Sequence, residues 1–205
     1  MTGDPHWASK QINALAEHKG WPLVDDPRLA FVTPQLKTVL KVWQAKRANR
    51  TMPSRADLTL RDLRSALANI ALLDIISTGG RMRFKVRLSG GAIDAFLGSP
   101  PTGRFLDEVV SRDFAEKWAA TWRPSISARC PNRIIARVTF DNHRCFVSET
   151  LNAPLADDGE NPDVFMTATY FHSRDDLGAR ADLATQLVAE LGPLANSPPA
   201  EAARA

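Results

Sequence analysis

Residues 70–97, IALLDIISTGGRMRFKVRLSGGAIDAFL, decide the fold of this chain. The stretch opens with a short apolar run, 70–76, and reaches Gly79-Gly80, which adopts positive φ without steric cost and suits a hairpin turn. In segment 81–88 cationic and apolar residues then alternate strictly, as in a strand with one buried and one solvated face. The pattern predicts an antiparallel hairpin leading into short helices, with four apolar side chains facing the helices: Met82, Phe84, Val86 and Leu88.

The composition is that of an ordinary globular protein. Of the 205 residues, 44% are hydrophobic and 24% charged, and a net charge of +3 does not by itself indicate nucleic-acid binding. The N-terminus lacks the cationic start and apolar core of a signal peptide, and no apolar run approaches the length of a membrane span. We therefore expect a soluble, cytoplasmic protein without a membrane partner.

The two cysteines, Cys130 and Cys145, do not form a disulfide framework. On the predicted strands they lie on the order of 30 Å apart, at about 3.3 Å per residue. A disulfide requires Cα atoms within roughly 7 Å. Both thiols are expected to be free, which fits a reducing compartment.

Outward from the hairpin, the sequence predicts an α+β fold. A helix from Ser111 carries large aromatic residues at every fourth position, and Pro124 is expected to kink or end it. Residues 141–143 and 156–162 read as turns, and the tail 193–205, rich in Ala and Pro, is expected to be disordered. Further helices are predicted at about 7–19, from 34 onward, at 60–67, 90–98 and 181–191, and further strands at 133–140, 144–151 and 164–171.

This order of elements resembles that of a PAS domain and, more narrowly, of the single-PAS family widespread in alphaproteobacteria. The resemblance covers about residues 36–173 and departs from the family at Leu88-Ser89-Gly90-Gly91, where a Gly followed by a hydroxyl residue is usual. It rests on Trp43, Arg47, Pro53, Arg55, Asp57, Leu73-Asp74, residues 84–90, Gly98, Gly103-Arg104, Pro131, Glu149, Pro154-Leu155 and Asp158-Gly159.

The resemblance implies a five-stranded antiparallel sheet packed with helices, in a sensory or docking module that signals through flanking helices. Some such domains bind haem, flavin or a small metabolite between the helices and the sheet. The domain organisation expected is an N-terminal helical extension (1–32), a PAS-like domain with its leading helix (33–175), a C-terminal helix (176–192) and the tail.

Five aromatic residues form the candidate ligand pocket: Phe84, Phe96, Phe114, Trp118 and Trp122. Three large aromatics on one helix face seldom face water, and ordinary core packing explains them better than ligand contact does. No His lies on that helix and no Cys on the small helices after the hairpin, so haem and flavin lack an obvious ligand and no cofactor is predicted. No metal site is predicted either.

Catalysis is not expected, because no catalytic motif occurs and none of the four histidines has a partner at a recognisable spacing: His6, His18, His143 and His172. His143 reads as a solvated turn residue. The alternative is a cone-shaped α+β enzyme of the ketosteroid-isomerase type, for which Glu149 is the only acid–base candidate on a strand.

The cationic residues of the second hairpin strand form a candidate partner surface: Arg81, Arg83, Lys85 and Arg87. The plainer interpretation is a solvated sheet face, or arginine stems that cover a packed helix. An acidic partner is the functional interpretation, while nucleic acid is disfavoured by the low net charge and the absence of interleaved aromatics.

The helix at 7–19 falls outside the resemblance and carries a short apolar stripe. A helix of about 13 residues needs tertiary or quaternary burial to persist. We therefore expect it to pair two subunits in a homodimer. In the alternative it folds back over the sheet face that carries Arg83 and Lys85.

The sequence as a whole predicts a non-catalytic cytoplasmic sensory or regulatory module. It is expected to act through protein contacts with an unknown signalling protein, with an optional small ligand.

Overall fold

The computed structural model describes residues 4–139, 145–173, 179–192 and 200–201. The helices are α1 (Pro5–Lys19), α2 (Pro34–Arg47), α3 (Leu60–Leu63), α4 (Gly91–Leu97), α5 (Arg112–Ala128) and α6 (Ala179–Leu191). The strands are β1 (Leu23–Asp25), β2 (Ile70–Thr78), β3 (Arg81–Ser89), β4 (Asn132–Thr139), β5 (Cys145–Leu155), β6 (Val164–Ser173) and β7 (Ala200–Glu201). Single 3₁₀ turns lie at Arg55–Asp57, Leu67–Asn69 and Leu106–Glu108.

One sheet, in the strand order β1-β4-β5-β6-β2-β3, organises the chain. All neighbours in this order pair antiparallel, so the α+β fold and the five predicted strands are confirmed. The sheet is larger than expected, because β1 extends it as a sixth antiparallel strand and β7 pairs in parallel with the end of β4. A two-residue strand thus lies within the tail that was expected to be disordered.

The predicted hairpin is present, with Gly79 and Gly80 at φ values of 58° and 76° in its turn. Phe84 and Val86 are buried as expected. Leu88 is not, since 37% of it is exposed. The strand register explains the error. Leu73 pairs with Val86 and Leu72 with Leu88, so a bulge in β3 after Val86 turns the Leu88 side chain to the opposite face of the sheet.

Helix α5 does not end at Pro124 but continues to Ala128. Proline removes only one intrahelical hydrogen bond, and apolar residues beyond it keep the last turn packed: Ile126 is buried in the main core. The helix ends at Arg129, which adopts φ 56°. Residues 141–143, predicted as a turn and including His143, lie outside the described residues.

The sheet separates two apolar layers. On one face, α1, α4 and α5 pack over alternating residues such as Leu73, Ile134 and Phe165. On the other face, α2 packs over Leu72, Leu151 and neighbours, and α6 packs through Leu187 and Leu191 over Ile135 and Val147. We call these the cavity face and the outer face, since the first contains the cavity described below.

Helix α1 packs against α5, β1 and β4 of its own chain. Its apolar residues Ile12 and Ala16 are each 1% exposed and belong to the same core as Trp122. Hence the stripe expected to pair two subunits is already buried within one. Nor does α1 cover Arg83 and Lys85, since β1 and β3 are opposite edges of the sheet.

Candidate functional site

A cavity of about 90 Å³ lies between the sheet and helices α4 and α5. Four of the five predicted pocket residues line it: Phe96, Phe114, Trp118 and Trp122. Phe84 does not, because its ring packs edge-on against Trp122 with centroids 4.9 Å apart and is covered by it. The structure therefore places four of the five residues around one cavity and Phe84 behind it, and their role in ligand binding stays a prediction.

The helix side of the cavity is an aromatic wall. The four-residue spacing of Phe114, Trp118 and Trp122 places the three rings on one face of α5. Adjacent ring centroids on that face lie 4.6 and 5.8 Å apart. At the other end Phe96 of α4 stacks on Phe171 of β6 at 4.0 Å. Planar apolar surface therefore covers one side of the space.

The sheet side of the cavity contributes polar residues from β5 and β6 beside apolar ones such as Leu73 and Ile134. The lining residues Ser148, Thr150 and Asn152 alternate along β5, and Thr167 and Thr169 alternate along β6. Because successive strand residues point to opposite faces, this spacing brings all five side chains to the cavity face. The Thr150 and Thr169 hydroxyls are 3.1 Å apart and hydrogen-bond each other.

Asn152 is a polar lining residue whose side-chain amide makes no hydrogen bond among the described residues. It is 1% exposed, and neither its Oδ1 nor its Nδ2 has a partner among the described residues. In the sheet register Asn152 stands directly opposite Asn132 of β4 and Thr167 of β6. A buried amide without partners costs free energy, so the arrangement favours a bound polar group or ordered water in the cavity.

Lys117 of α5 contributes a buried cation to the cavity lining. The residue is 6% exposed, and burial lowers the pKa of its ammonium to about 8. Its Nζ lies 5.8 Å from the centroid of the half-buried Trp21 ring. Within the described part of the chain, no carboxylate forms an ion pair with Lys117. The cavity lining thus includes a buried cation that has no ion-pair partner among the described residues.

A second buried ionisable group lies beside this region, on the same face of the sheet. Asp25 of β1 pairs in register with Ile134, a cavity-lining residue. Burial raises the pKa of Asp25 to about 7. Its carboxyl lies under α1, where Ser9 and Asn13 bond the backbone carbonyl of the same residue at 3.1 and 2.9 Å. Asp25 therefore joins α1 to β1 and does not line the cavity.

Sequence reasoning missed Lys117 and the polar residues of β5 and β6. A signal was present in part, because Ser148 and Thr150 occupy alternate positions of the predicted strand 144–151, and Asn152 continues the alternation just past its predicted end. The other signal is Lys117, which lies three residues after Phe114 and four before Thr121, on the inward side of the aromatic helix.

The candidate partner surface on β3 is largely neutralised within the chain. Asp107 accepts hydrogen bonds from Arg83 at 2.7 and 3.1 Å and also pairs with Arg81 at 3.7 Å. Arg87 binds Asp74 at 2.6 Å, and Lys85 is half-buried. Cations that already have carboxylate partners offer a phosphate backbone little net charge, so the nucleic-acid interpretation loses its main support.

Glu149 does not face the cavity, which removes the basis for the ketosteroid-isomerase-like alternative. Its fully buried carboxylate lies on the outer face and accepts a hydrogen bond from Arg133 at 2.6 Å. It also accepts bonds from the backbone N–H groups of Val32 and Thr33 at 2.9 and 2.8 Å. A carboxylate fully engaged in this way positions the start of α2 and has no access to a substrate in the cavity.

Arg133 is the centre of this outer-face network, which we call the Arg133 network. Its guanidinium, fully buried, also bonds Asp26 after β1 at 2.9 Å and Glu190 of α6 at 2.5 Å. One side chain thereby connects the central sheet to the N-terminal segment and to the C-terminal helix.

Few other side chains in the described residues could react or bind a metal ion. Cys130 is a free thiol there, and burial raises its pKa to about 11, which makes it a poor nucleophile. Among the described residues, no three His, Cys, Asp or Glu side chains form a group that could hold a metal ion. Within the same residues, none of the helices is long and apolar enough to cross a membrane.

The antiparallel sheet packed with short helices is an α+β fold of the PAS-like kind. The family model for the PAS domain matches residues 32–167 of the sequence. The chain therefore belongs to the PAS domain family. The match begins at the end of the N-terminal segment and ends within β6, so α1, β1 and α6 flank it.

The solved structures that resemble this chain include sensory proteins. A light-oxygen-voltage (LOV) protein from Rhodobacter sphaeroides shares 16% identity, with a TM-score of 0.42, over 65% of this chain and 81% of its own. An RNA-binding LOV receptor shares 14% identity, with a TM-score of 0.43, over 91% and 57% respectively. A sensory box histidine kinase/response regulator from Burkholderia thailandensis shares 14%, with a TM-score of 0.37, over 64% and 96%. No curated protein matches the sequence.

Proposed function

We propose that this protein is a non-catalytic cytoplasmic sensory module that binds a small molecule in the cavity and signals through contacts with a partner protein. The observation that supports binding most directly is Asn152, a buried amide that faces the cavity with both polar atoms unused. Pockets for small molecules combine apolar walls with a few placed polar groups, and this cavity has that composition.

Filling part of the cavity tests the proposal. Leu97 lines the cavity at the end of α4 and is only half-buried, so Leu97→Trp adds volume to the cavity from a partly exposed position. Leu60, 64% exposed on α3, supplies the matched control Leu60→Trp. In a thermal-shift screen of small metabolites, ligands should stabilise the native chain and Leu60→Trp but not Leu97→Trp. Equal responses from all three proteins, or no response in a broad screen, would contradict the proposal.

The Arg133 network supports signalling through the segments that flank the PAS domain, because it joins the sheet to the N-terminal segment and to α6. Hydrogen exchange of α6, measured with and without a ligand from the screen, should change on binding. Unchanged exchange throughout the chain would argue against signalling through this helix.

A homodimer is part of the proposal by analogy with other PAS domains, but its interface must lie elsewhere than on the buried stripe of α1. Light scattering at tens of micromolar should report a dimer mass. A monomer mass would remove this part of the proposal and leave ligand binding untouched.

A further inference from the structure

The cavity lining contains one charged side chain. Among the residues that line it, all within the described part of the chain, Lys117 alone carries an ionisable group, and the rest are apolar, hydroxyl or amide residues. A buried ammonium without an anion is costly, and a ligand that supplies one negative charge removes that cost. The electrostatics of the cavity therefore favour a monoanion.

The type of anion follows from the number of donors. Phosphate is typically held by arginine forks or by several convergent backbone N–H groups, and no arginine lines this cavity. One ammonium and one unused amide instead match a carboxylate, which carries a single charge on two acceptor oxygens. Asn152 can donate from Nδ2 and accept at Oδ1, so it can also bind a second polar group on the ligand.

The size and walls of the cavity limit the rest of the ligand. The aromatic wall of α5 and the side chains of Ile93 and Leu97 require an apolar body. An engineered cavity of about 150 Å³ in another protein holds benzene, so a space of about 90 Å³ suits a smaller body, of about four to six carbon atoms with the carboxylate included.

We propose that the ligand is a short-chain monocarboxylic acid, with its carboxylate paired to Lys117 and its apolar body against the aromatic wall of α5. This inference rests on the proposed function, since it names the class of ligand for the same cavity.

Calorimetric titration with matched probes tests the inference. Butyrate, isovalerate and hexanoate are compared with their neutral amides, which keep size and shape but remove the charge. The proteins are the native chain, Lys117→Met and the control Lys41→Met, which removes an exposed lysine of α2. Lys117→Gln serves as a second variant should the methionine fill the cavity.

We expect at least one acid to bind the native chain and Lys41→Met. Its affinity should fall at least about tenfold in both Lys117 variants, because the charge-assisted contact is lost. The amides should bind the native chain more weakly than the acids do. Circular dichroism of each variant verifies that the fold is intact.

Three results overturn the inference. Amides that bind as tightly as the acids, or acids indifferent to the Lys117 variants, would show a small-molecule site of another class and leave the proposed function standing. No binding by any probe would overturn the carboxylate inference, and the metabolite screen with Leu97→Trp then decides the proposed function separately.

Discussion

Replacing Lys117 by methionine should stabilise the protein without ligand, although it removes a residue from the proposed site. The pKa of this ammonium falls from its ordinary value of 10.5 to about 8, which corresponds to about 3 kcal/mol against the charged folded form. The contact with Trp21 at 5.8 Å offsets about 1 kcal/mol of this. The free energy of unfolding should therefore rise by about 2 kcal/mol at neutral pH in Lys117→Met.

The pH dependence separates this cause from a general packing effect. Below about pH 8 the ammonium is protonated in both folded and unfolded chains, so the whole cost is present. Between about pH 8 and 10.5 the folded chain loses the proton first, and stability rises with pH because the unfolded chain binds more protons. The advantage of Lys117→Met over the native chain should therefore shrink as the pH rises through this window.

Urea denaturation of both proteins, followed at about pH 7 and about pH 10, measures the two free energies of unfolding. Lys41→Met, at an exposed position, should differ little from the native chain at either pH. The reasoning is refuted if Lys117→Met is less stable at neutral pH, or if its advantage does not change with pH.

Three further outcomes are expected. Arg133→Met should lower the free energy of unfolding by about 3–5 kcal/mol in a urea titration, because it leaves buried carboxylates unpaired. Glu190→Gln should lower it by less than about 1 kcal/mol, because Glu190 is partly exposed. Equal losses in the two variants would contradict this expectation. Gly90→Ala should lower the melting temperature because a Cβ there overlaps the Leu67 carbonyl oxygen, whereas Gly91→Ala has open space and should not. The purified protein should be colourless in an absorption spectrum, and a haem or flavin band would overturn the prediction that no cofactor is carried.

Much of the fold could be predicted because it is encoded locally. Period-two alternation in β3 and the positive-φ glycines 79 and 80 specify the hairpin, and the four-residue spacing from Phe114 specifies the buried face of α5. The sequence-based predictions fail where contacts between residues distant in sequence determine the structure. The side of the sheet to which Leu88 points depends on a bulge in the pairing of β3 with β2 near Leu72. Residues 23–25 form strand β1 because they pair with the edge of β4.

The site was predictable in part for the same reason. Aromatic residues at helical spacing indicate a buried face of the helix. Whether a particular ring lines a cavity or packs in the core behind it depends on its neighbours, as Phe84 behind Trp122 shows. The charge of Lys117 reads in the sequence as that of a surface residue. Its spacing from Phe114 indicates the inward side of α5, but its burial also depends on the packing of α1 against α5, which that spacing does not contain.

Strand β5 connects the cavity to the flanking segments. Neighbouring residues on a strand face opposite layers, so Asn152 reaches the cavity while Glu149 holds Arg133 and the start of α2. A ligand that moved this strand would act on both flanks. Helix α2 is anchored by four buried residues, whereas α6 is anchored in the described residues by two leucines and a partly exposed ion pair from Glu190. Because α6 buries less apolar surface, its displacement costs less free energy, and a signal from the cavity should emerge there first.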